Sequence, residues 1–304
     1  MKRRSFLSKT TAASTLVGLG GLSVNSCFSS PSKHITVLHT NDVHSHIDPF
    51  PESHSKFPNL GGIVRRAELI HQIRKENPNT LLLDAGDIFQ GTPYFNFYGG
   101  ELEFKLMSKL GYDAATIGNH DFDNGIDGLL AQLPHASFKF LSANYDFSNT
   151  VLHGLVDPYK IFLLDGIKVG VFGLGIQLSG LVTRDLYKDT VYLNPGEIAQ
   201  DMGRILKEEK KCDLVICLSH LGYEYSDQPQ RASDVKLCGE TENIDLIIGG
   251  HTHTFLEKPV VRKNRIGERV MINQVGCYGV NLGRVDFHFL AADKSTSDGV
   301  RIVV

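Results

Sequence analysis

The sequence predicts a single α/β domain over residues 34–304, with a mixed sheet or two packed sheets. Two patterns carry that expectation. Short β-type apolar runs alternate with stretches whose apolar residues recur at helical spacing. Asp165-Gly166 joins the runs Tyr159 to Leu164 and Ile167 to Leu174, the signature of a tight hairpin. A third observation limits the domain count: beyond residue 34 there is no repeat, internal linker or change of composition. At 304 residues and 41% hydrophobic content the chain can bury a full core. A formal charge of −3 leaves no basic field, which argues against phosphate-driven binding of a nucleic-acid polymer.

Taken in order, residues 1–27 read as an export signal and not as part of the fold. Arg3-Arg4-x-Phe6-Leu7-x-Lys9 has the twin-arginine pattern, followed by a short stretch rich in Gly, Ser and Thr. Leu22-Ser-Val-Asn-Ser-Cys27 is similar to a lipobox, although Asn25 is not typical of one. The expectation is an exported chain, periplasmic or anchored to a membrane through a lipidated Cys27. Residues 28–33 read as a linker. Cys212, Cys217, Cys238 and Cys277 remain, an even number that permits disulfides without defining a pairing.

The first strand is Ile35 to Leu38. A Pro-rich loop spans 49–59, and Leu60, Ile63, Val64, Ala67 and Ile70 then follow helical spacing, with Arg65, Arg66, Glu68 and Arg74 opposite. Asn77-Pro78-Asn79 closes that helix and opens the strand at Leu81. Residues 93–100 read as an aromatic loop. Leu102, Leu106 and Leu110 mark a helix stopped by Gly111, and 127–133 another, ended by Pro134. Asn194-Pro195 caps and starts a helix bearing Ile198, Met202, Ile205 and Leu206. The stretch from Val270 to Val304 alternates apolar and polar residues and reads as antiparallel strands.

The chemistry lies where the strands stop. Five β-type runs end in turns carrying Asp, Asn or His: Asp42-Val-His44, Asp84-Ala-Gly-Asp87, Gly118-Asn119-His120-Asp121, Ser219-His220 and His251-Thr-His253. In open α/β folds ligands bind beyond the carboxyl ends of strands, so these turns converge on one site. Mixed oxygen and nitrogen donors suit Zn, Mn, Fe or Co and not a thiolate-type structural zinc. Asp42, His44, Asp87, Asn119, His220, His251 and His253 are too many for one ion and right for two. Two divalent ions against two carboxylates leave a positive site for an anionic substrate. Ions about 3.5–4 Å apart clamp the attacking and leaving oxygens of a phosphoryl displacement.

The series Asn41-Asp42-Val-His44, Gly86-Asp87-x3-Gly91, Gly118-Asn-His-Asp121, Ser219-His220 and Gly250-His-Thr-His253 resembles the calcineurin-like metallophosphoesterases. Leu60-Gly-Gly-x3-Arg66, Gly86-Asp-Ile-Phe-Gln-Gly-Thr-Pro93, Gly118-Asn-His-Asp-Phe-Asp-x-Gly125 and Leu218-Ser-His-Leu-Gly222 are similar to its 5′-nucleotidase branch. The resemblance implies a two-sheet β-sandwich flanked by helices, with a dinuclear centre. Asp42, His44, Asp87 and His253 would hold one ion; Asp87, Asn119, His220 and His251 the other, with Asp87 bridging. His120 would be the catalytic donor to phosphate or leaving oxygen, oriented by Asp121, where many members carry Glu.

The implied activity is hydrolysis of phosphate monoesters, with a phosphorylated small molecule, a nucleotide above all, as substrate. The alternatives are a phosphodiesterase, for example on 2′,3′-cyclic nucleotides, or a catalytic subunit needing a separately encoded partner. Members of the branch continue into a C-terminal domain that contacts the nucleoside, and here the sequence stops at Val304. Phe89, Tyr94, Phe95, Phe97 and Tyr98 are candidates for a local aromatic platform.

Overall fold

The computed structural model describes residues 33–290 and 294–304. The export signal, Cys27 and linker residues 28–32 lie outside the described residues. In chain order the first half comprises β1 (Lys33–Thr40), α1 (Ile63–Glu76), β2 (Thr80–Asp84), α2 (Pro93–Tyr98), α3 (Glu101–Leu110), β3 (Ala114–Ala115), α4 (Gly125–Gln132), β4 (Lys139–Phe140) and β5 (Tyr145–Asp146). The second half comprises β6 (Tyr159–Leu164), β7 (Ile167–Leu174), α5 (Arg184–Tyr187), β8 (Val191–Tyr192), α6 (Pro195–Arg204), β9 (Leu214–Ser219), α7 (Asp234–Glu240), β10 (Leu246–Gly249), β11 (Val260–Lys263), β12 (Arg269–Asn273), β13 (Asn281–Leu290) and β14 (Lys294–Val303).

Two six-stranded sheets result, β14-β13-β1-β2-β3-β4 and β11-β12-β10-β9-β7-β6, beside a small β5-β8 pair. The period-2 alternation of strand side chains explains their stacking. From the first sheet Ile35, Val37, Leu81 and Leu83 point into the layer between the sheets, and Leu214, Ile216 and Leu218 meet them from the second. Their in-between neighbours Leu38 and Leu82 face outward into a helix-covered core with Ile70, Phe104 and Leu129. Val215 and Cys217 do the same on the other side, against Ala199 and Leu237. Each fully buried Leu or Ile contributes about 1.5–3 kcal/mol. The resulting order is helix, sheet, sheet, helix, a two-sheet sandwich flanked by helices.

Within this frame β1, β2 and β3 run parallel, as do β7, β9 and β10. Their carboxyl ends therefore share a rim. Asp165 and Gly166 both have positive φ, 48° and 77°, which is the type I′ turn that the β6–β7 hairpin requires. The Asn194 side chain accepts from the Gly196 N–H at 2.9 Å and caps α6. Cys212, Cys217, Cys238 and Cys277 are free and buried.

Several expectations are corrected. The 93–100 segment is not a loop: Pro93 occupies the first turn of α2, which its fixed φ favours, and Gly99 ends the helix in the left-handed region at φ 61°. On α1 the buried face is Ile63, Arg66, Ile70 and Ile73. Val64 is 79% exposed and Arg66 only 2%, the reverse of a charge-out reading. The tight turn at Gly279 explains this, since a Cβ there would collide with the Arg66 Nη1. The C-terminal stretch is only partly antiparallel: β12 pairs parallel with β10, and β13 with β14 forms the antiparallel hairpin.

Candidate metal centre

Each candidate ligand sits one to four residues past a strand end, in a turn that strand hydrogen bonding no longer constrains. Asp42, His44, Asp87, His251 and His253 all have positive φ, 50°, 49°, 55°, 72° and 50°. Non-glycine residues adopt this region uncommonly, Asp and His among them more readily, and clusters of such strain mark functional sites. Close backbone approach makes room for the ligands. A Cβ on Gly250 would fall 2.8 Å from His220 Nδ1 and from the Ala85 carbonyl, so the rim tolerates no side chain there.

The structure brings all seven candidates together. Asp42, His44 and His253 form one triad and Asp87, His220 and His251 another, the ligand atoms of each lying within 4.8 Å of one another. Asp87 Oδ2 lies 3.1 Å from His220 Nε2 and 3.9 Å from His44 Nε2, and so faces both triads. His253 Nε2 lies 3.5 Å from Asp42 Oδ1 and 3.1 Å from His44 Nε2. Asn119 Oδ1 is 2.9 Å from His251 Nδ1, beside the second triad.

The donor set fits divalent ions. His220 Nδ1 is 2.7 Å from the Ala85 carbonyl and His44 Nδ1 is 3.2 Å from that of Phe89. A carbonyl only accepts, so both Nδ1 atoms donate and both Nε2 atoms are left to face the centre, where a bound cation would take the place of any Nε2 proton. His220 Nε2 is fully buried and has no hydrogen-bond partner, because its contact with Asp87 lacks hydrogen-bond geometry. A buried nitrogen left this way is expensive unless a cation meets it.

The electrostatics without a cation are those of a crowded charge cluster. Burial opposes a charged His220, but Asp87 outweighs it and the imidazole is raised to about 10. Burial likewise opposes charge on His253, and hydrogen bonding to Asp42 and Cys277 lifts it to about 10. His251 is lowered to about 4, first by burial and then by the His220 charge, with Arg231 adding to it. Burial also lowers His44. Asp87 is held below the usual carboxylate range: burial would raise it, and His220 reverses the sign.

His120 stands beside the first triad, its ring centroid 5.2 Å from that of His44. Asp121 does not orient it. The Asp121 carboxylate is fully buried and accepts backbone N–H bonds from Gly118 at 2.8 Å, Ile88 at 2.9 Å, Asp87 at 3.1 Å and Phe89 at 3.2 Å. It pins the turn after β2 to the turn after β3. Burial and the neighbouring Asp87 push its pKa up to about 7 against those N–H bonds. The partner of His120 is Asp123, 2.9 Å from Nδ1, and this hydrogen bond raises the imidazole pKa. A one-turn 3-10 helix over His120–Phe122 brings residues three apart to the same side. The spacing of His120 and Asp123 was the available signal, and it was hidden by the nearer acid. Of the aromatic candidates, Phe89 and Phe95 are core, while Phe97 and Tyr98 are exposed on α2.

A two-sheet sandwich with paired His/Asp triads on its rim defines a class. The calcineurin-like phosphoesterase family model matches residues 35–255, and the chain belongs to that family. It is related to 5′-nucleotidases: it is 34% identical to the Bos taurus 5′-nucleotidase over 84% of this chain and 46% of that protein. It is equally, 34%, identical to the trifunctional nucleotide phosphoesterase protein YfkN of Bacillus subtilis, over 84% of this chain and 18% of that protein. Among solved structures it matches the 5′-nucleotidase precursor from Thermus thermophilus with TM-score 0.80 and 32% identity, over 90% of this chain and 55% of that one. The chain thus spans about half, or less, of the length of these relatives.

Proposed function

We propose that this chain hydrolyses phosphate monoesters at a pair of divalent ions, with nucleotides as the substrate class. The observation that carries the reading is the pair of triads facing each other across Asp87. Asp42, His44, Asp87 and His253 would hold one ion, and Asp87, Asn119, His220 and His251 the other. Zn, Mn, Fe or Co suits this donor set. Bound ions supply Lewis-acid charge to the phosphoryl oxygens and lower the pKa of a nearby water.

The chain's own residues do the rest. His120, whose protonated form Asp123 favours, donates from Nε2 to the leaving oxygen. Asp121 fixes the two turns that carry Asp87 and His120. The printed names of the relatives, 5′-nucleotidase and nucleotide phosphoesterase, support nucleotides as substrate. The Arg3-Arg4 leader and Cys27 support export, with lipidation as the means of anchoring.

The test is hydrolysis of p-nitrophenyl phosphate, AMP and bis-p-nitrophenyl phosphate by the Mn- or Zn-loaded chain. Turnover of both monoesters well above the diester is expected. Turnover confined to the diester would replace this reading with a phosphodiesterase. No turnover of any ester with two ions bound would remove the catalytic reading, unless a separate C-terminal-domain protein restores it.

A further inference from the structure

A cleft of about 880 Å³ opens beside the second triad, and the reading above makes no use of it. One wall is Leu221, the residue after His220; another is the segment ending in α7. Arg231 lines it, with its guanidinium carbon 4.0 Å from the centroid of the Tyr225 ring. That platform is tied to the ligand turns. The Tyr225 hydroxyl donates to the Leu221 carbonyl at 2.8 Å, and the Tyr223 N–H donates to Thr252 Oγ1 at 2.9 Å. Thr252 stands between His251 and His253. A Cβ on Gly222 would come within 2.8 Å of the Thr252 methyl, so the segment is pressed against that turn.

Stacking on Tyr225 uses the face of the guanidinium and leaves its N–H edge to bind. No carboxylate of the described residues pairs with Arg231. The other cation in the cleft, Lys236, is engaged by Glu240 at 2.7 Å. The cleft continues past Gln177, Ser179 and Tyr192 into a second hollow of about 530 Å³. This is far more room than one phosphate needs, and its free cation is placed by a rigid aromatic support.

We propose that this cleft is a second anion subsite, in which Arg231 binds a non-reacting phosphate of the substrate. The inference rests on the phosphomonoesterase reading and narrows it: the favoured substrates carry a second phosphate beyond the scissile one, as a nucleoside diphosphate does. A guanidinium–phosphate pair is bidentate and charge-assisted, worth about 10–100-fold in affinity.

The experiment compares p-nitrophenyl phosphate, AMP and ADP as substrates of the metal-loaded wild type, Arg231→Gln and Arg231→Lys. For Arg231→Gln the ratio of kcat/KM on ADP to that on p-nitrophenyl phosphate should fall about 10–100-fold, through KM, and Arg231→Lys should recover part of it. An equal loss on every substrate, or no loss, overturns the subsite. If the wild type turns over none of them, the monoesterase reading fails by itself. Calorimetric titration with ADP then decides the subsite: binding at least tenfold weaker in Arg231→Gln supports it, and equal binding overturns it.

Discussion

The two sheets meet at one rim but bring different chemistry to it. The first sheet ends in oxygen donors, Asp42 after β1, Asp87 after β2 and Asn119 after β3, with His44 as its one triad imidazole. The second sheet ends in imidazoles alone, His220 after β9 and His251 and His253 after β10. Contacts across the seam are accordingly mostly between unlike groups, His220 to Asp87 at 3.1 Å and His253 to Asp42 at 3.5 Å, with the imidazole pair His44–His253 at 3.1 Å as the exception. The negative charge is built on one layer and the basic nitrogen on the other. Protons and cations therefore compete for the same gap, and the two layers should fail differently when altered.

The largest effect should come from the oxygen side. Asp87→Ala removes the group that faces both triads, and metal content should fall from about two ions per chain to near zero. His220→Ala, on the nitrogen side, should empty one position only. Elemental analysis after dialysis decides it, and two ions retained by His220→Ala would sink the ligand assignment. Next comes His120, which touches neither role: His120→Ala should keep both ions and lose roughly 10²–10⁴-fold in kcat. Asp123→Asn sharpens the point through pH. The Asp123 hydrogen bond raises the His120 pKa, so the acid is lost only as pH rises through that raised value. Removing the carboxylate should move the basic limb of the kcat profile to lower pH. An unmoved limb would return the orienting role to another residue.

The smallest effect is a count of protons. His220 and His253 are raised to about 10 and are protonated at neutral pH, whereas His44 and His251 are lowered and are neutral there. Metals bind the deprotonated ring, so loading at pH 7 should release about two protons, both from the second sheet. Affinity should weaken as pH falls. Calorimetry in buffers of different ionisation enthalpy reads this directly, and release near zero would contradict the division between the layers.

Much of this rim was legible in the sequence because each ligand ends a β-type run, and strand periodicity is a local signal. The alternation Ile35, Val37 and Leu81, Leu83 likewise announces a layer buried between sheets. What escaped depends on contacts far along the chain. Arg66 reads as a surface charge on α1 and is buried because the turn at Gly279, more than 200 residues later, packs over it. Val64 reads as core and is exposed, since helical spacing alone does not say which of two adjacent apolar positions faces the sheet. Asp121 reads as the partner of His120 because it is adjacent. Only the fold shows that its carboxylate is consumed by four backbone N–H groups, leaving Asp123 for the imidazole.

Both triads draw on both sheets, and that has a mechanical meaning. His44 and His253 stand 209 positions apart in the chain yet meet at 3.1 Å. An ion shared by such residues acts as a removable rivet through the sandwich, closing a loop as a disulfide does. For a 100-residue loop that constraint is worth about 4.7 kcal/mol, and it grows only slowly with length. Chelation would then loosen the layers as well as silence the rim, and the lifetime of the folded chain would follow the metal supply around it.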